Sequence, residues 1–271
     1  MESTTATLNT LPPTKEKKSC KKAITVNLKM TKYTIVKQLT LEVYQWKSVL
    51  SDEWDITWSD YYISEDFIRK LLPHQKINHF PGSYLLCKKN FLASHLLKIQ
   101  QNLPEAYDFF PKTWILPFNY KNLQEYAEEH NYKKVFIAKP EASCQGRGIF
   151  LTKKVFKTLN DRENYVVQEY LKNPYLIDDY KFDLRLYVLI KNVEPLKIFL
   201  FQDGLARFAT EKFQKPRSKN FMNLFMHLTN YSINKKNSNF QQNTIENGEE
   251  FGHKRSFVSI LAVNFLNFRK I

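Results

Sequence analysis

The chain has 271 residues, 43% hydrophobic and 25% charged, enough apolar content for a sizeable core in one large or two to three small domains. Lys and Arg outnumber Asp and Glu by 41 to 27, a net charge of +14 that attracts polyanions, and residues 1–40 alone carry eight lysines against Glu2 and Glu16. No apolar run approaches the roughly 18 residues of a membrane span, the N-terminus has no apolar signal stretch, and Cys20, Cys87 and Cys144 fit neither a disulfide framework nor zinc spacing, so a reducing cytoplasmic address without a membrane is expected.

Residues 1–22 are polar and lysine-rich and predict a disordered tail. A first lobe is expected over residues 23–111, with helical patterns at 64–72 and 89–101. Ser64 followed by Glu65 and Asp66 reads as an N-cap with acids in the first turn. Trp46, Trp54 and Trp58 read as core of this lobe. A central lobe, residues 112–183, contains a helical pattern at 120–130 and the strand-like runs 135–138 (VFIA) and 148–152 (GIFLT). KPEASCQGRGIF, residues 139–150, joins those runs and sets Lys139 eight residues before Arg147, between two of the chain's six glycines, Gly146 and Gly148. Glycine used so sparingly marks backbone that turns with positive φ or approaches something closely. The loop reads as a flap laid over phosphate, or as an exposed basic hairpin; it is neither a Walker A loop nor a GxGxxG fingerprint.

Further on, residues 165–171 (YVVQEYL) are strand-like, and residues 181–190 (KFDLRLYVLI) alternate. Phe182, Leu184, Leu186, Val188 and Ile190 fall on one face, and Lys181, Asp183, Arg185 and Tyr187 on the other. Charges gathered on one face either line a site or meet water. A third lobe, residues 184–271, carries FLFQDGLARFAT (199–210), read as a hairpin turning at Asp203–Gly204 with Arg207 on its second strand. MHLTNYSINK (226–235) is dense in amides and hydroxyls that suit phosphate, ribose or a carboxylate. The alternation of strands and helices predicts an α/β fold in α+β layers, without internal repeats. Six histidines without HxH or HxxxH spacing predict no metal site, and the 21 Phe and 15 Tyr read as core.

Seven blocks occur in order: QKINHFPG (75–82), PKTWILP (111–117), KPEASCQGRGIF, QEYL (168–171), DDYKFDLRLYVLI (178–190), GLARFAT (204–210) and MHLTNYSIN (226–234). Together they resemble the tubulin tyrosine ligase-like family, most closely its polyglutamylases, over about residues 24–258. The resemblance implies an ATP-grasp-like fold with ATP and Mg2+ as cofactors. It implies ligation of free L-glutamate onto glutamate side chains of tubulin C-terminal tails through an acylphosphate. Lys139, Arg147 and Gly148 would then meet the triphosphate, and Gln168, Glu169, Tyr170 and Leu171 would hydrogen-bond adenine through the strand backbone. Lys181, Phe182 and Asp183 would continue the pocket, with Arg185 and Arg147 over the transferred phosphoryl. Arg207 would grip the amino-acid carboxylate, Thr229 and Asn230 would close over the nucleotide, and Ser232 and Lys254 would stand on the substrate side.

Microtubules, the cytoskeleton and a cilium or basal body are the implied partner and addresses, and nucleic acid is not an expected partner. One departure stands out. The family's magnesium ligands follow the aligned region, and from about Ala262 the text AVNFLNFRKI no longer resembles the family. No metal ligand is assigned here. The C-terminal lobe is therefore expected to be incomplete, and a catalytically dead tubulin-binding remnant is the alternative to an active polyglutamylase.

Overall fold

The computed structural model describes residues 23–240; the expected tail, residues 1–22, and Lys254 lie outside the described residues. The chain divides into two compact units, Met1–Tyr84 and Leu85–Ile271. In the first, β1 (Thr25–Asn27), β2 (Lys47–Ser48), β3 (Ile56–Thr57) and β4 (Lys76–Ile77) form a parallel sheet in the order β2-β1-β3-β4. Helix α1 (Thr34–Lys37) follows β1, and α2 (Glu65–Arg69) starts as expected, with Ser64 Oγ accepting from the Phe67 N–H at 3.3 Å. It ends short of residue 72 because Pro73 disfavours helical backbone before it. The expectation that all three tryptophans are core is corrected: Trp54 is buried, Trp46 stacks on Tyr44 at 5.3 Å, and Trp58 is exposed. Thr57 faces inward, and strand alternation turns Trp58 outward.

The second unit continues from α3 (Tyr84–Cys87) through α4 (Lys89–Asn102) into an antiparallel sheet ordered β5-β8-β6-β7. Its strands are β5 (Thr113–Ile115), β6 (Phe136–Pro140), β7 (Phe150–Thr152) and β8 (Tyr165–Glu169). Helix α5 (Tyr120–Glu129) buries Leu123, Tyr126 and Ala127, the i, i+3, i+4 stripe of an amphipathic helix. It stops before Asn131 and Tyr132, both at positive φ.

Alternation along β6 divides two cores. Phe136 and Ala138 join Trp114, Leu123 and Val167 on one face, while Val135 and Ile137 join Tyr170, Phe221 and Leu228 on the other. Lys139, two residues beyond Ile137, inherits the second face. A charged residue at the end of an apolar strand is thereby carried into the protein.

The remaining sheet is a long hairpin of β10 (Tyr180–Val193) and β11 (Leu196–Lys212) edged by β9 (Leu176–Ile177). Here the expected turn at Asp203–Gly204 is corrected: β11 runs straight through it, and the chain reverses between Val193 and Leu196. Between the pairs Leu186↔Gly204 and Val188↔Leu200, β11 takes four residues where β10 takes two, so Gly204 borders a bulge. A Cβ there would lie 2.6 Å from the Arg185 carbonyl oxygen. Glycine is needed for close backbone approach, and Gly204→Ala should cost about 1–3 kcal/mol, as overpacking does. Denaturant unfolding measures this, and an unchanged midpoint would refute it. Phe182 and Leu184 are half-buried, but from Leu186 onward both faces of β10 are exposed. Among the described residues, no helix is long and apolar enough to cross a membrane.

Candidate functional site

The end of β6 with its glycine loop, the end of β8, the start of β10 and the segment 226–234 converge in the second unit. On β8, alternation puts Gln168 and Tyr170 on the same face as Lys139. Lys139 Nζ donates to Gln168 Oε1, and the Gln168 amide donates to Thr113 Oγ1 at 2.8 Å. Lys181 Nζ donates to Tyr170 Oη at 3.1 Å and to the His227 carbonyl at 2.9 Å, and lies 4.7 Å from the centre of the Tyr170 ring. Burial and then the charge of Lys89 lower the Lys139 pKa. Burial and then the charge of Lys139 lower Lys181 to about 8, with Asp183 offsetting part of the fall. Two ammonium groups held together away from water are costly, and an incoming polyanion relieves that cost.

Lys89 was missed in the sequence. From the first position of α4 its Nζ donates to the Pro140 carbonyl at 3.0 Å and to that of Ser143, fastening helix to loop. A lysine opposes the dipole of a helix at its first turn, and that misplacement was the available signal.

Within the loop, Gly146 and Gly148 have φ of +82° and +68°, as their spacing predicted. A Cβ on Gly146 would meet Ile233 Cδ1 at 2.5 Å and Asn230 at 3.1 Å, and Ser232 Oγ donates to the Gln145 carbonyl at 2.6 Å. The loop thus docks on the segment 230–233. Arg147 is exposed at its crest, Nη2 3.5 Å from Gln145 Oε1.

Asp183 and Arg207 are direct cross-strand neighbours, and Arg207 Nε and Nη2 donate to the two carboxylate oxygens at 2.6 and 2.8 Å. Thr229 Oγ1 donates to the same carboxylate at 2.6 Å. Asn234, 1% exposed, anchors the segment: Oδ1 accepts from Thr210 N and Oγ1, both at 2.9 Å, and Nδ2 donates to the Leu228 carbonyl at 2.8 Å and the Asn230 carbonyl at 3.1 Å. Nothing in the sequence separates this asparagine from a surface one.

Several side chains of the residues named by the resemblance lie off this cluster. Alternation turns the Glu169 side chain to the opposite face, where it accepts from Tyr126 Oη at 2.6 Å and Lys134 Nζ at 2.7 Å. Burial pushes its carboxyl up, but those two donors and the charges of Lys134 and Lys172 outweigh burial and leave it below its ordinary value. Leu171 is exposed, Phe182 packs on Phe208 at 5.6 Å, and Arg185 is exposed on β10. Among the described residues, no group of three His, Cys, Asp or Glu gathers as a metal centre.

A mixed α/β chain whose four-stranded antiparallel sheet carries the half-buried Lys139 beneath a glycine loop, with Lys181 and Arg207 on a second sheet, is of the ATP-grasp-like class. The chain belongs to the tubulin-tyrosine ligase family, whose model matches residues 68–264. It is 46% identical over 245 residues to a protein named probable beta-tubulin polyglutamylase of Tetrahymena thermophila, covering 89% of this chain and 20% of that protein. It is 42% identical to tubulin polyglutamylase TTLL7 of Xenopus tropicalis, over 94% of this chain and 28% of that one. With tubulin polyglutamylase TTLL6 of Mus musculus the identity is 40%, over 84% and 27% respectively. The chain spans 20–28% of the length of these curated relatives. The family read from the seven ordered blocks is borne out.

Proposed function

We propose that this protein is an ATP-dependent ligase that joins glutamate to glutamate side chains in the acidic C-terminal tails of tubulin, with microtubules as partner and the cytoskeleton as address. The observation that carries the nucleotide half is the half-buried pair Lys139 and Lys181; the tubulin half is supported by what the relatives are named for. Bound ATP would supply the phosphoryl group that activates a carboxylate toward an amine. Among the described residues, Lys139 commits one N–H to Gln168 and Lys181 two to Tyr170 and His227, so both retain donors for phosphate oxygens.

Lys89 would add a third cation, and the backbone of residues 145–148 would cover the phosphates. Arg147 at the loop crest and Arg185 would meet the transferred phosphoryl, and the backbone of residues 168–171 would hold adenine. Thr229 and Asn230 would close the pocket. Asp183 holds the Nε–Nη2 edge of Arg207, which leaves the Nη1 side for the carboxylate of the incoming amino acid. Ser232 and Lys254 would face that substrate. The described residues do not fit a magnesium site by themselves.

The test is ATP-dependent incorporation of labelled glutamate into intact and protease-trimmed microtubules, with a full-length relative as positive control. Incorporation into intact microtubules alone is expected; equal incorporation into both would overturn the tail assignment, and none at all the ligase assignment. Arg207→Lys, which keeps the charge and loses the planar two-point contact, should raise the glutamate KM about tenfold or more. An unchanged KM and rate would remove Arg207 from that role.

A further inference from the structure

The site as described leaves one buried titratable side chain without a role. His227 is 0% exposed and stands against Tyr170, which is 3% exposed and lies directly beneath Lys181. The directions of their hydrogen bonds follow from what the two ends of the chain permit. An ammonium only donates, so Tyr170 Oη accepts from Lys181. A carbonyl only accepts, so His227 Nε2, 3.1 Å from the Asn220 oxygen, carries a hydrogen. Neutral His227 therefore presents Nδ1 as an acceptor, and the Tyr170 hydroxyl, 3.0 Å away, donates to it. That hydroxyl hydrogen is turned away from Lys181 and its lone pairs toward it. Edge-on rings of Tyr170 and Phe213, at 88° and 86° to the imidazole, hold the histidine in place.

A protonated His227 would aim a second N–H at a hydroxyl that already faces an ammonium. Burial and then Lys181 lower the His227 pKa, with the Asn220 carbonyl pulling the other way. The charged groups facing the cluster are Lys181 and Asp183 of β10 and Lys139 of β6. Asn220 contributes its carbonyl and Phe213 only its ring.

We propose that His227 is a positioning residue for the phosphate site: as a neutral acceptor it fixes the Tyr170 hydroxyl and so keeps an oxygen lone pair on the Lys181 ammonium. The consequence for phosphate rests on the nucleotide reading above, whereas the relay itself does not. Removing the hydroxyl (Tyr170→Phe) or its acceptor (His227→Phe) takes a fixed partner from Lys181 and favours the neutral amine. His227→Asn, whose Oδ1 can stand where Nδ1 stood, retains the acceptor.

Competitive acetylation of the ligand-free chain across about pH 6–10, read by peptide mass spectrometry, gives the titration midpoint of Lys181. Calorimetry with ATP over the same range reads the consequence. Lys181 binds phosphate as an ammonium, so affinity falls as pH rises through its pKa, and a lower midpoint brings that loss to lower pH. The midpoint should fall by about one pH unit in Tyr170→Phe and His227→Phe, with ATP binding about threefold weaker near pH 7.5 and about tenfold weaker near pH 9, and both should return close to the original in His227→Asn.

An unmoved midpoint in the phenylalanine variants, or an equal fall in His227→Asn, would overturn the proposal. Thermal melts check folding, and Tyr170→Phe, which loses a single oxygen, decides the matter if His227→Phe does not fold. Lys181→Met separates the two readings. If it binds ATP as well as the parent chain, the nucleotide reading fails, while the acetylation midpoints still judge the relay.

Discussion

Replacing Lys139 and Lys181 together by methionine should weaken ATP binding by about a hundredfold to ten-thousandfold while making the ligand-free chain more stable. Each lysine offers a charge-assisted contact of about 1.5–3 kcal/mol to phosphate, and methionine keeps the apolar stem without the ammonium. The gain in stability follows from the same burial. The fall of Lys181 from 10.5 to about 8 corresponds to about 3 kcal/mol held against the charged form in the fold. The folded pKa lies below the unfolded one, so this penalty is full below pH 8, is relieved as pH rises through the folded pKa, and is gone above 10.5. Stability of the parent chain should therefore climb between about pH 8 and 10, and the double variant should lose that slope. Denaturant melts across pH and ATP calorimetry measure both effects. A double variant that is less stable, or that binds ATP undiminished, would refute the assignment of these lysines.

Asp183→Ala should cost about 1–3 kcal/mol of stability and slow glutamate transfer by about a hundredfold, because one carboxylate organises Arg207 and Thr229 together. The stability figure sits below that for breaking a fully buried pair, since both side chains remain about a third exposed and solvent screens the freed guanidinium. Combining Asp183→Ala with Arg207→Ala should recover part of the loss in stability, as removing both partners leaves no orphaned charge. Strict additivity of the two single losses would show that the pair does not act as a unit.

How much of this site was legible in the sequence depends on the range over which each signal acts. The β6–β7 hairpin, its two positive-φ glycines, α4 and α5 followed from patterns a few residues long: alternation, the i, i+3, i+4 stripe, glycine in the loop. The same alternation, taken to the end of β8, would have turned Glu169 away from Gln168 and Tyr170. The resemblance assigned all three to adenine through their backbone, on which side-chain alternation does not bear. Asp203–Gly204 misled because the local preference of that pair is a turn, whereas the bulge and the approach of Gly204 to Arg185 arise only when β11 lies on β10.

By itself, then, the sequence determined the strands β6, β7, β8 and β10, the main helices, the basic glycine loop and, through seven blocks in order, the family. Each of those rests on neighbours along the chain or on order alone. Only the tertiary structure decided that Lys89 clamps the loop 51 and 54 residues away, that His227 meets Tyr170 across 57, and that Asp183 belongs to Arg207 and Thr229. Whether a charged or polar side chain is a solvated surface group or a buried, oriented one depends on the dielectric and the donors that distant segments bring to it, and no local pattern encodes those.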